Sequence, residues 1–433
     1  MMKKEEVTRT VVYGVVPHNF GKRGFKDVTA KLDYLAGLGI NALWISPVYP
    51  TARGGHGYDV TDYFGLRSDY GSKEEFREMV EQAHRRGIKI LMDFVPNHTS
   101  IDHPYMQEAL VRGSASPYYH FYDRDENGNY TYYFNWEHLP NLNFDNPEVV
   151  EWIIEAFSYW VREFDVDGFR VDVAWGIKQR RPDFWPACRQ ALDRIKSDII
   201  MIAEASARDP YYFDNGFDAA YDWTDELGHW SMEEVFEDKE KLTERLDKAL
   251  TNEGRGFHKD AVIFRFLNNN DTGKRFITRY GLDMTRVAVA MLLTLPGLPC
   301  IYTGQEVGAE FEPYKTPGPI SWEDKHNLRD YYRKLINIRR SLPCLSASTR
   351  WERIPVNPEE KIYAYLRPGR EGEESALIIL NFSGEECETN LTLPEGRFPG
   401  NLKDLLNNET IETLTKKGKV NMKPYQSRIL INA

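Results

Sequence analysis

The sequence predicts a (β/α)8 TIM barrel with a small B domain inserted after its third strand and an antiparallel β domain at its C-terminus. Three observations carry this expectation. Between residues 11 and 343, eight short apolar, β-branched segments alternate with stretches of helical periodicity, the pattern that βαβ units produce. Polar and charged residues gather at the C-terminal ends of those segments, where barrels of this kind hold their sites. Beyond Pro343 the texture changes to short strands separated by Gly, Pro and Asn. The expected boundaries are 1–98 and 145–343 for the barrel, 99–144 for the insert and 344–433 for a C-terminal β-sandwich.

A chain of 433 residues is too long for one ordinary core but suits a large barrel with an appended domain. A net charge of -11 argues against nucleic acid or an anionic membrane as partner, since either needs a basic patch. Cys188, Cys300, Cys344 and Cys387 are scattered without a C-x-x-C pair, so neither a zinc site nor a disulfide framework is suggested, and reduced, buried thiols are expected. The first ten residues lack an apolar h-region and no stretch approaches a membrane span. A cytoplasmic location is expected, with a secreted form that has lost its signal peptide as the alternative.

Taken in order, residues 11–16 read as a buried first strand, and residues 27–38 as a helix that Gly39 stops. Residues 41–48 are nearly all apolar, as in a parallel sheet covered on both faces. The following loop, residues 54–63, holds Tyr58 and Asp59 above the sheet; taken alone, it reads better as a surface turn. A helix over 73–86 leads into the strand 88–95, whose end carries Asp93, Asn97 and His98. Asp93 lies inside an apolar run and must be paired or hydrogen-bonded if charged. Over 99–144 both periodicities break down while aromatics crowd in, among them Tyr133, Phe134 and Trp136. A loop this long is usually functional or a small subdomain. Flat rings among hydrogen-bonding groups suit sugars, although most of these rings are expected to form a minicore.

Regularity resumes with a helix opening at Asn146-Pro147-Glu148 and running to Phe164. Asp167-Gly-Phe-Arg-Val-Asp-Val173 then reads as a buried strand delivering Arg170 and Asp172 to one side, because residues two apart on a strand share a face. A guanidinium beside a carboxylate lowers its pKa by roughly 1–3 units, which would leave Asp172 a permanent anion. The same spacing also serves a buried structural ion pair. A helix over 182–196 precedes the strand 199–205, where Glu204 emerges after an apolar run and desolvation is expected to keep it protonated near neutrality. Residues 219–223 form a weak strand, 233–250 a charged helix, and 262–271 a strand ending in Asn268, Asn269, Asn270 and Asp271. Four short polar groups end a strand poorly unless something is bound there. A helix over 284–295, a last strand near 298–306 and a helix over 328–342 complete the barrel. In the C-terminal part, residues 361–366, 375–381, 388–393 and 428–431 read as strands that cover one side of the barrel rather than bind sugar.

Asp172, Glu204 and Asp271 thus converge on one rim. An ionised carboxylate facing a protonated one is the pair that glycoside hydrolysis needs. A metal-dependent hydrolase is the rival, weakened by the absence of H-x-H or H-E-x-x-H spacing. Asp93-x-x-x-Asn97-His98, Gly168-Phe-Arg-Val-Asp172, Ala203-Glu204 and Phe266-x-x-x-x-Asp271, with Leu139-Pro-Asn-Leu-Asn143, resemble in order the motifs of the alpha-amylase family of glycoside hydrolases.

The resemblance implies a retaining double displacement, with Asp172 as nucleophile, Glu204 as general acid/base and Asp271 as transition-state stabiliser. It implies an α-glucan substrate, Tyr58 stacked on the sugar, His98 and Arg170 hydrogen-bonding there, and Asp59 in the same loop motif. Two departures stand out. Asn270 occupies a position where the family usually has His, so slower but real catalysis is expected. Val173-Ala-Trp-Gly176 follows Asp172 where many members carry a Lys-His pair that helps hold calcium, so a structural calcium site at Asn97 is expected to be incomplete and no cofactor is required. Within the family, maltogenic amylases, cyclomaltodextrinases and oligosaccharide glucosidases are resembled most. Cleavage of α-1,4 bonds in maltooligosaccharides, starch or cyclodextrins is the leading reading, with α-1,6 cleavage or transglycosylation as alternatives. A catalytically dead binding subunit is the reading from another class, opposed by the presence of Asp172, Glu204, Asp271 and Arg170 together.

Overall fold

Side chains alternate along a strand, so each strand of a closed barrel sends every second residue to the axis and the others to the surrounding helices. The computed structural model describes residues 7, 9–52, 56–224, 231–313, 315–316, 318–348, 350–394, 397–412 and 417–433. Eight parallel strands close in sequence order: β1 (Val12–Val15), β2 (Ala42–Ile45), β3 (Lys89–Phe94), β4 (Gly168–Val171), β5 (Ile200–Ser206), β6 (Ala219–Tyr221), β7 (Ile263–Phe266) and β8 (Leu298–Tyr302). Val12, Ala42, Trp44, Leu91, Ile202, Tyr221, Phe264, Phe266 and Tyr302 fill the interior. Their neighbours Tyr13, Leu43, Met92, Phe94, Phe169, Val171, Met201 and Ala203 join the larger core under the helices. Gly168 starts β4 because a Cβ there would lie 2.1 Å from the Ile200 carbonyl oxygen.

The helices begin where local chemistry satisfies their first N–H groups. Ser72 and Glu75 form a capping box at helix Lys73–His84. Asn146 accepts from the Glu148 N–H at helix Pro147–Phe164, which buries Val149, Ile153, Phe157, Trp160 and Phe164. Two helices expected to be continuous are broken: 27–38 divides into Phe25–Ala30 and Leu32–Leu38, and 233–250 into Ser231–Glu237 and Leu242–Thr251. In both, an apolar stripe survives the break, which is why periodicity alone does not reveal it.

Between β3 and β4 the chain makes the expected excursion. It contains a helix that periodicity did not reveal, Pro104–Arg112, capped by His103 and started by Pro104. The rest is held by 3₁₀ turns and isolated bridges, among them His98 to Asn141 and Tyr132 to Pro140.

After the barrel come antiparallel sheets of three and six strands. Cys387, Leu391, Val420 and Met422 of the smaller sheet share a core with Ile362, Leu366, Leu377 and Ile379 of the larger. The opposite face of the larger sheet sends Tyr363, Tyr365, Ile378 and Leu380 into the core of the barrel's helices. Strands Glu352–Ile354, Val356–Asn357, Leu402–Asp404, Glu409–Ile411 and Lys417–Met422 went unread in the sequence; four have only two or three residues and the fifth is mostly polar. All four cysteines are free and buried. Among the described residues no helix is long and apolar enough to cross a membrane.

Candidate active site

Asp93 and Arg170 are cross-strand partners on β3 and β4, both pointing to the barrel axis. Arg170 is fully buried and its guanidinium serves three carboxylates. Nη1 donates to Asp93 Oδ1 at 2.9 Å and to Asp172 Oδ1 at 2.8 Å. Nη2 lies 2.7 Å from Glu204 Oε1, an ionic contact rather than an aligned hydrogen bond. Nε donates to the Tyr221 hydroxyl at 2.9 Å. The second oxygen of Asp93 accepts from Trp44 Nε1 at 3.1 Å and from the Tyr58 hydroxyl at 3.0 Å. Asp93 is therefore paired, as its burial demanded.

Glu204 is placed by two backbone irregularities. The pairing of β5 with β6 slips between Ala203 and Ser206, a bulge at the rim of the kind that re-aims a side chain. Opposite, Val173 adopts φ 47° and ψ 41°, a left-handed conformation that a β-branched residue rarely takes, and its N–H donates to Glu204 Oε2 at 2.7 Å. The sequence gives no sign of this donor.

One cation among three carboxyls cannot hold all of them ionised. Burial pushes Glu204 up to about 8 and Asp172 to about 7, with Arg170 opposing in each case. Asp93 rises to about 6, again through burial. The expectation that Arg170 leaves Asp172 a permanent anion does not hold, because the guanidinium is shared and desolvation outweighs it. The order survives: Asp172 ionises before Glu204. The charge of Asp172 adds to the proton's hold on Glu204.

Asp271, beyond the end of β7, is exposed, and its charge acts on Asp172 and Tyr133. The polar run before it is mostly spent on the turn. Asn269 Oδ1 accepts from the Asp271 and Thr272 N–H groups at 2.9 and 3.0 Å, and Asn268 Oδ1 caps Phe276 N at 3.0 Å. Asn270 Nδ2 donates to the Tyr58 hydroxyl at 3.0 Å, which extends the relay to Asp93. Asp59 is buried beside Tyr58, and its charge acts on Arg67. Gly54 and Gly55 of the same predicted loop lie outside the described residues.

His98 is 1% exposed, and burial lowers its pKa to about 3, so the ring is neutral. Nε2 lies 3.1 Å from the Tyr58 carbonyl, which can only accept, so the proton is on Nε2. Asn97 Nδ2 donates to Nδ1 at 3.2 Å. With both nitrogens engaged, His98 holds the Tyr58 loop. Tyr133 of the insert stacks on the His98 ring with centroids 5.0 Å apart.

The site expected for calcium does not fit a metal. Asn97 Oδ1 accepts from the Arg180 guanidinium, whose Nη1 also donates to Leu142 O of the insert at 2.8 Å and whose Nε donates to Gly176 O at 3.1 Å. A cation already holds these oxygens. Among the described residues no group of three His, Cys, Asp or Glu side chains could take a metal. Helix Ala174–Arg180, which carries this arginine, is too short to read from periodicity.

The chain is similar to known proteins. The model of the alpha amylase catalytic domain matches residues 18–341. The alpha-amylase MalA of Haloarcula japonica is 31% identical over 399 residues, 89% of this chain and 57% of that protein. The intracellular maltogenic amylase of Bacillus subtilis is 31% identical over 328 residues, 73% of this chain and 54% of that protein. The chain thus spans just over half the length of these two relatives. The crystal structure of a noncanonic maltogenic alpha-amylase, AmyB from Thermotoga neapolitana, superposes with a TM-score of 0.82 at 25% identity, covering 98% of this chain and 99% of that one.

Proposed function

This chain belongs to the alpha-amylase family, and from that premise we propose that it is a retaining glycosidase cleaving α-1,4-glucosidic bonds in maltooligosaccharides, starch or cyclodextrins, with maltose as a product. The observation that carries the reading is the pair of carboxyls on one guanidinium, Glu204 keeping its proton to a higher pH than Asp172. Their closeness, with Asp172 2.8 Å from Nη1 and Glu204 2.7 Å from Nη2 of the same guanidinium, favours retention, because an inverting pair stands ~6.5–9.5 Å apart to seat a water.

Asp172 attacks the anomeric carbon while Glu204 protonates the departing oxygen. Water then enters, gives its proton to the Glu204 carboxylate and releases the sugar from Asp172 with its original configuration. Asp271 hydrogen-bonds the distorted ring and stabilises the cationic transition state. Tyr58 supplies the flat face under the sugar. Asn270 and His98 keep that tyrosine in place, and Arg170 fixes both working carboxyls. Maltose release is supported by the Bacillus subtilis and Thermotoga neapolitana relatives, both named as maltogenic. The Bacillus subtilis relative, named as intracellular, supports a cytoplasmic location.

Product analysis on maltotriose, β-cyclodextrin and isomaltose tests the reading, with NMR recording the first anomer formed. We expect α-maltose from the first two substrates and about 10⁴-fold or greater loss of kcat in Asp172→Asn. A β-anomer formed first would refute retention. Isomaltose cleaved in preference to maltotriose would move the bond to α-1,6. No turnover of any substrate would leave a binding protein.

A further inference from the structure

At the end of the barrel opposite Asp172 and Glu204, a cavity of about 810 Å³ lies among the segments that lead into β6, β7 and β8. Asp218, Ala261 and Pro296 line it from those segments, and Trp351 lines it from the chain beyond the barrel. Its volume is that of a small-molecule site. Alternation along β7 sends Phe264 and Phe266 to the barrel axis, so Arg265 between them points outward, where it lines this cavity. Arg265 is 2% exposed, and neither Nε nor Nη1 has a hydrogen-bond acceptor among the described residues. Asp222 Oδ2 stands 3.5 Å from Nη1, too far for a charge-assisted hydrogen bond. A buried guanidinium in this state is costly unless another group completes it.

The surroundings carry more positive charge. Gly297, at the entry to β8, has φ 116°, and a Cβ there would lie 2.5 Å from the Ile263 carbonyl oxygen and 3.4 Å from Arg265 Nε, so the backbone is fitted closely round this side chain. Arg339 and Arg367 are buried nearby. Arg339 donates to the carbonyls of Leu293, Leu295 and Gly297, and Arg367 to those of Thr294 and Ser346. Burial lowers Arg339 to about 9 and Arg367 to about 10, and the charge of Arg265 adds to the lowering in both. At the rim, Lys259 and Arg350 are exposed. Of the lining carboxylates, Asp193 and Asp218 are taken by Arg189 at 3.0 and 2.9 Å. The balance is then Asp260 against Arg265, Lys259 and Arg350, a surplus of positive charge.

We propose that this cavity binds a phosphate monoester of a small molecule, its dianionic phosphate held by Arg265, Lys259 and Arg350 and the rest of the ligand lying along Phe257 and Trp351. Two phosphate oxygens match the fork of a guanidinium, and the second negative charge answers the surplus that a single carboxylate would leave. The cavity is much larger than a bare phosphate, and the partly buried rings of Phe257 and Trp351 give it apolar faces for an attached sugar or base. The active-site end, where one guanidinium is shared by three carboxyls, has no place for such an anion.

Isothermal titration calorimetry of the full chain with glucose 6-phosphate, adenosine monophosphate and inorganic phosphate, and with glucose as the neutral control, tests the assignment. At least one ester should bind with a Kd of about 1 mM or tighter at low salt, more tightly than inorganic phosphate, and should weaken as salt rises. The tighter ester identifies the ligand as a sugar phosphate or a nucleotide. Arg265→Met keeps the length of the side chain and removes its charge, so it should weaken that binding about 10-fold or more. Lys259→Ala/Arg350→Ala should weaken it about 10-fold, and because it alters only the exposed rim it decides the matter if Arg265→Met does not fold. Any glucose binding should be equal in all three proteins. Inorganic phosphate bound as tightly as either ester, an adventitious ion only, would overturn the site. So would a parent that binds neither ester at about 10 mM, or a folded variant within about twofold of the parent's Kd.

Discussion

Arg170 brings one positive charge to a pocket with three buried carboxyls, and the pH behaviour of the protein follows from that shortage. Activity needs Asp172 ionised and Glu204 protonated, so kcat/KM should trace a narrow bell with limbs near 7 and 8 that belong to the coupled pair. The Asp93 charge raises Asp172, so Asp93→Asn should move the acid limb to lower pH, whatever it costs in rate. An unmoved limb would contradict the shared-guanidinium account. Stability has its own signature. Glu204 ionises near 4.5 in the unfolded chain and near 8 in the folded one, so its contribution is full below the first value and is lost as pH rises through the second. Glu204→Gln should therefore stabilise the protein increasingly from pH 5 to pH 9, by a few kcal/mol at most, read from Tm across that range. At this scale the sequence was partly legible. Period-two spacing put Arg170 and Asp172 on one face, and the apolar run announced a proton-holding Glu204. It could not reveal that Arg170 is shared, because Asp93 and Glu204 reach it from other strands.

At the scale of elements, Arg180 is the clasp between barrel and insert, joining Asn97 after β3 to Leu142 of the excursion. Its guanidinium is buried, which lowers its pKa to about 10, still leaving it charged at any working pH. Arg180→Ala strands several buried oxygens and should cost about 3 kcal/mol, measured by urea unfolding. Tyr133 and the His98 ring should loosen with it, so KM should rise as well. Because an arginine occupies this position, prolonged treatment of the parent with EDTA should leave both Tm and kcat unchanged, and a fall of more than a few degrees would show that a metal holds the fold. The long helix Pro147–Phe164 was visible from its Asn-Pro start and its apolar face. Helix Ala174–Arg180 was hidden because it starts from a strained Val173 and runs for only two turns.

For the whole molecule, the larger C-terminal sheet is buried on both faces and is joined to the barrel by a polar lock. Arg367 donates to the carbonyls of Thr294 and Ser346, and the Tyr365 hydroxyl meets Thr294 Oγ1 at 2.5 Å. Arg367→Ala should lower stability by about 3 kcal/mol without shifting either pH limb, and unfolding should stay a single transition if sheet and barrel melt together. The alternation of eight strands made the barrel legible, whereas the sheets' two- and three-residue strands left no period to read. The crowding of carboxyls around one guanidinium also selects what can enter. A ring that carries its own anion, such as a glucose phosphate or a glucuronic acid, meets like charge with no counter-ion to spare and should bind poorly. A ring with an ammonium in place of the ring oxygen supplies the missing cation, so iminosugar inhibition should strengthen as the pH rises and the carboxyls ionise, up to the point where the amine itself loses its proton.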